Sequence, residues 1–124
     1  MFDRYLITGA TGFLGRAVVE ELIHRDNVRI DALVLRNDPY IALLPKEIHT
    51  VIGDVCAENS LEQFFAGADS KTCVIHCAGI ISVAARSGSK LYQVNVGGTC
   101  NVIRHCIKHR VGKMIYVSSV HAIP

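Results

Sequence analysis

Residues 8–15 (TGATGFLG) place glycines at positions 9, 12 and 15, directly after the apolar run Tyr5, Leu6, Ile7. Residues of this type at this spacing bind the phosphates of a dinucleotide. Gly9 permits a tight turn out of a strand, Gly12 lets backbone approach a pyrophosphate with no Cβ in the way, and Gly15 lets the next helix pack against the strand. Thr11, Phe13 and Leu14 complete the loop and the first helical turn, whose unpaired N–H groups and positive dipole end attract the anion. A glycine triplet alone is a weak signal. Here an apolar strand precedes it, and an apolar stripe of Leu14, Ala17, Val18 and Leu22 follows, opposite Arg16, Glu20, Glu21 and Arg25.

Other chemistry-bearing residues stand at the ends of apolar runs. Leu35 and Arg36 end the second run, where an acid takes the ribose 2′-hydroxyl of NAD and a cation suits the 2′-phosphate of NADP. NADP is therefore the expected cofactor and NAD the alternative; Asp31 lies too early in the run to reach a ribose. GDV at 53–55 and HCAG at 76–79 end the third and fourth runs, with Ala78 and Gly79 small where backbone must come close. Asp54, read by itself, is either a binding carboxylate or a turn residue. His76 reads as a packed strand histidine rather than an acid or base. Asn95 in the middle of a helical pattern is an unfavourable choice for structure alone, which favours a function. Ser118 and Ser119 put two hydroxyls at the end of the fifth run.

These residues need elements that bring them to one edge. Strands are expected over 5–8, 29–35, 49–52, 73–77 and 114–118, and a long helix over 90–108. Asn37, Asp38 and Pro39 break the chain after the second strand. A capping box of Ser60 with Gln63 opens a helix that buries Leu61, Phe64, Phe65 and Ala68. Alternating strands and helices specify an α/β fold, a Rossmann-type doubly wound parallel sheet in three layers, α/β/α, with strand order 3-2-1-4-5. The ligand crevice is then expected at the carboxyl ends of the strands, where the strand order reverses.

Half of the 124 residues are hydrophobic, enough for one domain with a packed core and too many for a disordered chain. No stretch has the uncharged apolar length of a membrane span, and the N-terminus has no secretory h-region, so a cytoplasmic protein is expected. The five cysteines lie mostly in apolar runs, as reduced thiols do. A metal set of Cys73, His76, Cys77, His105 and Cys106 matches no zinc spacing, and no metal is expected. Residues 1–69 hold all eleven acids with six of the thirteen bases, and residues 70–124 hold seven bases and no acid. The basic half lacks interleaved aromatics and any nucleic-acid motif, so no nucleic-acid partner is expected.

Taken together, TGATGFLG, GDV, HCAG, LYQVNVGGTCNVI at 91–103 and YVSSVHAIP at 116–124 resemble the extended and atypical short-chain dehydrogenase/reductases. Among these, dihydroflavonol-reductase-like members match best, over essentially the whole chain. The resemblance implies that Asp54, beside Val55, holds the adenine amino group and that HCAG passes the phosphates and ribose. It implies that Asn95 supports the catalytic array while Gly97, Gly98 and Thr99 let their helix approach the sheet. It puts Ser118 beside the nicotinamide and makes Ser119 the catalytic hydroxyl on the substrate oxygen. The activity implied is carbonyl reduction, or epimerase or dehydratase chemistry on a nucleotide sugar.

Such enzymes exchange a proton through a Tyr followed four residues later by Lys. Here Tyr5 is followed at that distance by Gly9, Tyr40 by Leu44, Tyr92 by Val96 and Tyr116 by Val120. The chain therefore reads as an incomplete, C-terminally truncated NAD(P)-binding domain over 1–124, inactive alone and without its substrate lobe. The alternatives are a naturally short binding or sensing module and one chain of a split enzyme. A fifth strand without its covering helix leaves apolar surface exposed, through which a homo-oligomer would form.

Overall fold

A computed structural model describes residues 1–78 and 92–118. Gly79, Ser119 and the first residue of LYQVNVGGT, Leu91, lie outside the described residues. Five strands, β1 (Arg4–Thr8), β2 (Arg29–Val34), β3 (His49–Ile52), β4 (Thr72–His76) and β5 (Lys113–Tyr116), form one sheet. Every pairing is parallel and the order is β3-β2-β1-β4-β5, the order read from the sequence. β1 is flush with both neighbours, Thr8 pairing with Leu33 on one side and His76 on the other. The glycine loop thus leaves the sheet beside the ends of β2 and β4.

Alternation along the strands divides the core into two layers. On one face Tyr5, Ile7, Ala32, Val34, Cys73 and Ile75 pack with Val19 and Leu22 of helix α1 (Phe13–Leu22). On the other, Leu6, Leu33 and Val74 pack with Leu61, Phe64, Phe65, Val102 and Cys106. The last five belong to a short 3-10 turn (Glu58–Leu61), helix α2 (Glu62–Phe65) and helix α3 (Thr99–Lys108).

Three local expectations change. The buried face of α1 is Gly15, Val19 and Leu22, while Leu14 is exposed. The stripe sits one residue later because Gly15, with no side chain, is the point of contact with the loop. The capping box at Ser60 does not form: α2 has no side-chain cap, and the Ser60 hydroxyl instead donates to backbone carbonyls at Ala57 and Asp54 and accepts the Asp54 N–H at 2.9 Å. Finally, the helix expected over 90–108 begins, among the described residues, as a π-helical turn (Gln93–Gly98) that becomes regular only at Thr99.

At the N-terminal edge of the sheet a buried ion pair ties the layers together. Arg4 Nε donates to Asp31 Oδ2 at 2.7 Å, and its other nitrogens donate to the carbonyls of Ala66 and Phe64. Asp31 is fully buried and also accepts from Arg29 at 3.1 Å. This acid lies at the opposite end of β2 from the glycine loop, where the sequence placed it.

Candidate functional site

The glycine loop is built around two contacts that no other residue type permits. Gly9 has φ +69°, and a Cβ there would stand 2.7 Å from the Ala78 nitrogen and the Cys77 carbonyl carbon. At Gly15 a Cβ would fall 1.9 Å from the Gly9 carbonyl oxygen, inside the loop itself. The loop closes on itself through Gly12 N–H donating to the Gly9 carbonyl at 3.1 Å. Gly12 caps α1 with no side-chain hydrogen bond, and the first turn holds no acid. The opening N–H groups of α1 therefore have neither an intrahelical acceptor nor a carboxylate in front of them, which fits a bound phosphate.

The loop forms one wall of a crevice of about 320 Å³ at the carboxyl ends of β1, β2, β3 and β4, large enough for part of a small-molecule cofactor. Of the residues singled out in the sequence, Gly9, Thr11, Gly12, Asp54, Val55 and Ala78 line it. Leu33, Val34, Leu35, Asp38, Gly53, Cys77 and Val94 line it as well; Leu35, Gly53, Cys77 and Val94 belong to the stretches quoted from the sequence, and none of the seven was picked as a binding residue. Gly15 lies behind the loop as its support. Phe13 projects outward, 92% exposed, and Leu14 is also exposed, so these two offer the site backbone rather than side chain. Asn95 is half-buried in the π-helical turn, and its neighbour Val94 is the residue at the crevice. Ser118 is exposed just past β5.

Of the expectations about packing, one holds and one is corrected. Gly98 does let its helix approach: a Cβ would meet Val55 Cγ2 at 2.6 Å. Gly97 does not, since a Cβ there has nothing within 4 Å. Asp54 lines the crevice while its Oδ1 accepts the Cys56 N–H at 2.9 Å, so the carboxylate also makes the turn that shapes its own loop.

The end of β2 holds the residue that sequence reasoning missed. Arg36 is exposed and does not line the crevice, whereas Asp38 does. The Thr11 hydroxyl donates to Asp38 Oδ2 at 2.5 Å, and Tyr40 N–H donates to Oδ1 at 2.9 Å. Asn37, Asp38 and Pro39 read only as a chain break. The available signal was an Asp two residues ahead of a free N–H, the spacing of an Asx turn, which points its carboxylate back over the preceding strand end.

Behind the crevice, one hydroxyl organises the end of β4. Thr8 Oγ1 accepts the N–H groups of Cys77 and Ala78, each at 3.1 Å. Its own proton then goes to His76 Nδ1, 2.6 Å away, which must be the bare nitrogen. His76 Nε2–H donates to Thr99 Oγ1 at 3.0 Å, and the ring stacks on Tyr116. Burial pushes the His76 pKa down to about 4, so the imidazole is neutral. It joins β1, β4 and α3 and offers the crevice no proton: a packed strand histidine, as its position implied.

The family model described as "3-beta hydroxysteroid dehydrogenase/isomerase family" matches residues 6–124. Over 126 residues the chain is 34% identical to human "3 beta-hydroxysteroid dehydrogenase type 7", a match covering 96% of this chain and 33% of the relative. It is 32% identical to the decarboxylating sterol-4-alpha-carboxylate 3-dehydrogenase of Schizosaccharomyces pombe, over 95% of this chain and 34% of that one. Among solved structures, a Thermus thermophilus UDP-glucose 4-epimerase in complex with NAD superposes with a TM-score of 0.81 at 25% identity, over 94% of this chain and 37% of that one. The chain spans about a third of the length of these relatives.

Proposed function

The chain belongs to the 3-beta hydroxysteroid dehydrogenase/isomerase family, and on that premise we propose that it is the nicotinamide-dinucleotide-binding portion of an oxidoreductase acting on a carbonyl or alcohol. The observation that carries this reading is the cradle itself: a left-handed Gly9 against the end of β4, Gly15 against the Gly9 carbonyl, and an uncapped helix terminus opening on the crevice. A bound nicotinamide supplies or accepts hydride. The chain's own residues would hold the pyrophosphate on the first turn of α1 and the adenine beside Asp54 and Val55. Ala78 and Gly79 would lie under the ribose, and Asn95 and Ser118 would face the nicotinamide end. Ser119 would hydrogen-bond the substrate oxygen.

The names of the relatives support a ring hydroxyl of a sterol or steroid as substrate of the whole protein, and the epimerase likeness supports a nucleotide sugar as the second class. No Tyr in the chain has Lys four residues later, which supports a reading in which these 124 residues bind cofactor without turning substrate over. Five free cysteines fit a reducing compartment, in keeping with a cytoplasmic setting.

Arg36 supports NADP as the cofactor. Asp38 favours NAD as a second reading, since a carboxylate lining the crevice accepts a ribose 2′-hydroxyl and repels a 2′-phosphate. Calorimetric titration of the purified chain with NADH and NADPH tests all of this. Under the first reading NADPH binds more tightly and Arg36→Ala removes the preference; under the second, NADH binds more tightly and Asp38→Asn narrows the gap. Gly15→Val should abolish binding of both. Binding of neither by the parent chain overturns the proposal, and steady NADPH or NADH oxidation with a carbonyl panel overturns its non-catalytic part.

A further inference from the structure

Outside the crevice, α2 and the C-terminal end of α3 bring together Glu62, His105 and His109, with one donor atom from each lying within 4.8 Å of the others. His105 of α3 and His109, the residue that caps it, stand four apart in helical backbone, hence on one face. His105 is 2% exposed. Its Nε2 lies 3.3 Å from the Glu58 carbonyl, an acceptor only, so Nε2 carries the hydrogen and Nδ1 is a bare lone pair. That buried Nδ1 has no hydrogen-bond partner among the described residues, and neither has buried His109 Nε2. Two unpaired imidazole nitrogens at one spot are a cost that packing alone leaves uncompensated. Phe65 stacks on both rings, at 5.1 Å and 5.7 Å between centroids, and fixes their planes.

The geometry points to a Zn²⁺ site made of His105, His109 and Glu62. Two imidazoles and a carboxylate, with a water in the fourth position, are a complete tetrahedral set for this ion. The backbone acceptor on His105 Nε2–H is the outer contact that a metal-bound histidine ordinarily has, and it leaves the other ring nitrogen for the metal. Lys108 Nζ now bridges to Glu62 Oε1 at 2.9 Å, both side chains being more than half exposed. An exposed pair of this kind contributes little, so the ammonium yields its place to a divalent cation. The site is separate from the crevice, whose lining includes none of Glu62, His105 and His109. Zn²⁺ here would clamp α2 to α3 and stabilise the fold without touching the cofactor.

The test is titration of the purified chain with ZnCl₂ by calorimetry after alkylation of the accessible thiols, with Co²⁺ absorption as the spectroscopic readout. Expected are one equivalent bound, a thermal midpoint that rises with Zn²⁺, and visible Co²⁺ bands of tetrahedral type without a thiolate charge-transfer band. His109→Gln and Glu62→Gln, at positions exposed enough to tolerate change, should each weaken binding roughly tenfold or more. Lys108→Gln should tighten it, because the competing cation is gone. His105→Ala is avoided as the deciding variant, since removing a buried ring risks the fold. Absence of saturable binding, an affinity indifferent to all three substitutions, or a thiolate band in the Co²⁺ adduct would each overturn the assignment.

Discussion

His76 is the residue whose chemistry most constrains the molecule. Its pKa near 4, against an ordinary value of 6.5, means that between these two values the unfolded chain binds more protons than the folded one. Stability from this residue is therefore complete above pH 6.5 and drains away as pH falls toward 4, by roughly 3 kcal/mol in all. Urea unfolding at pH 7, 5.5 and 4 should show this decline, and His76→Gln should flatten it while lowering stability at pH 7. The role of this histidine was legible from its place in a strand. Its partners were not, because Thr8 and Thr99 lie 68 and 23 residues away and only the fold brings them together.

Among the elements, the strands were the most legible part, since β1, β2 and β4, buried on both faces along nearly their whole length, read as apolar runs. Helices carried less local information. Ser60 and Gln63 have the spacing of a capping box, but the Ser60 hydroxyl finds a better use in the loop that carries Asp54, a tertiary demand invisible to the pattern. The two glycines before α3 look alike in sequence and differ in the fold. Gly97→Ala meets open space and should stabilise by about 0.5–1 kcal/mol through helix propensity. Gly98→Ala drives a methyl against Val55 at the crevice wall and should destabilise by about 1–3 kcal/mol and weaken dinucleotide binding. Thermal unfolding and cofactor titration of both variants check the contrast.

At the scale of the molecule, the two ends of the sheet do different work. The N-terminal edge holds Arg4 and Asp31, and Arg4→Met would leave Asp31 buried with Arg29 as its remaining ion-pair partner among the described residues. A loss of roughly 3 kcal/mol is expected, with the dinucleotide affinity of the folded fraction unchanged; denaturant melts and titration on the same variant measure both. Ile115 and Tyr116 of β5, and Val117 after it, are exposed. No described helix is long and apolar enough to cross a membrane. At the other end of the sheet, the Thr8 hydroxyl holds the amide protons of Cys77 and Ala78, and this has a meaning in time. Held by a side chain of the fully buried central strand, these amide protons should exchange with solvent more slowly than the half-burial of Cys77 and Ala78 alone would give. The part of the crevice wall that abuts Gly9 is thus held by bonds within the sheet itself. If the proposed dinucleotide binds here, the backbone of Cys77 and Ala78 would meet it already ordered, and encounter rather than rearrangement of these two residues would set how fast it is captured.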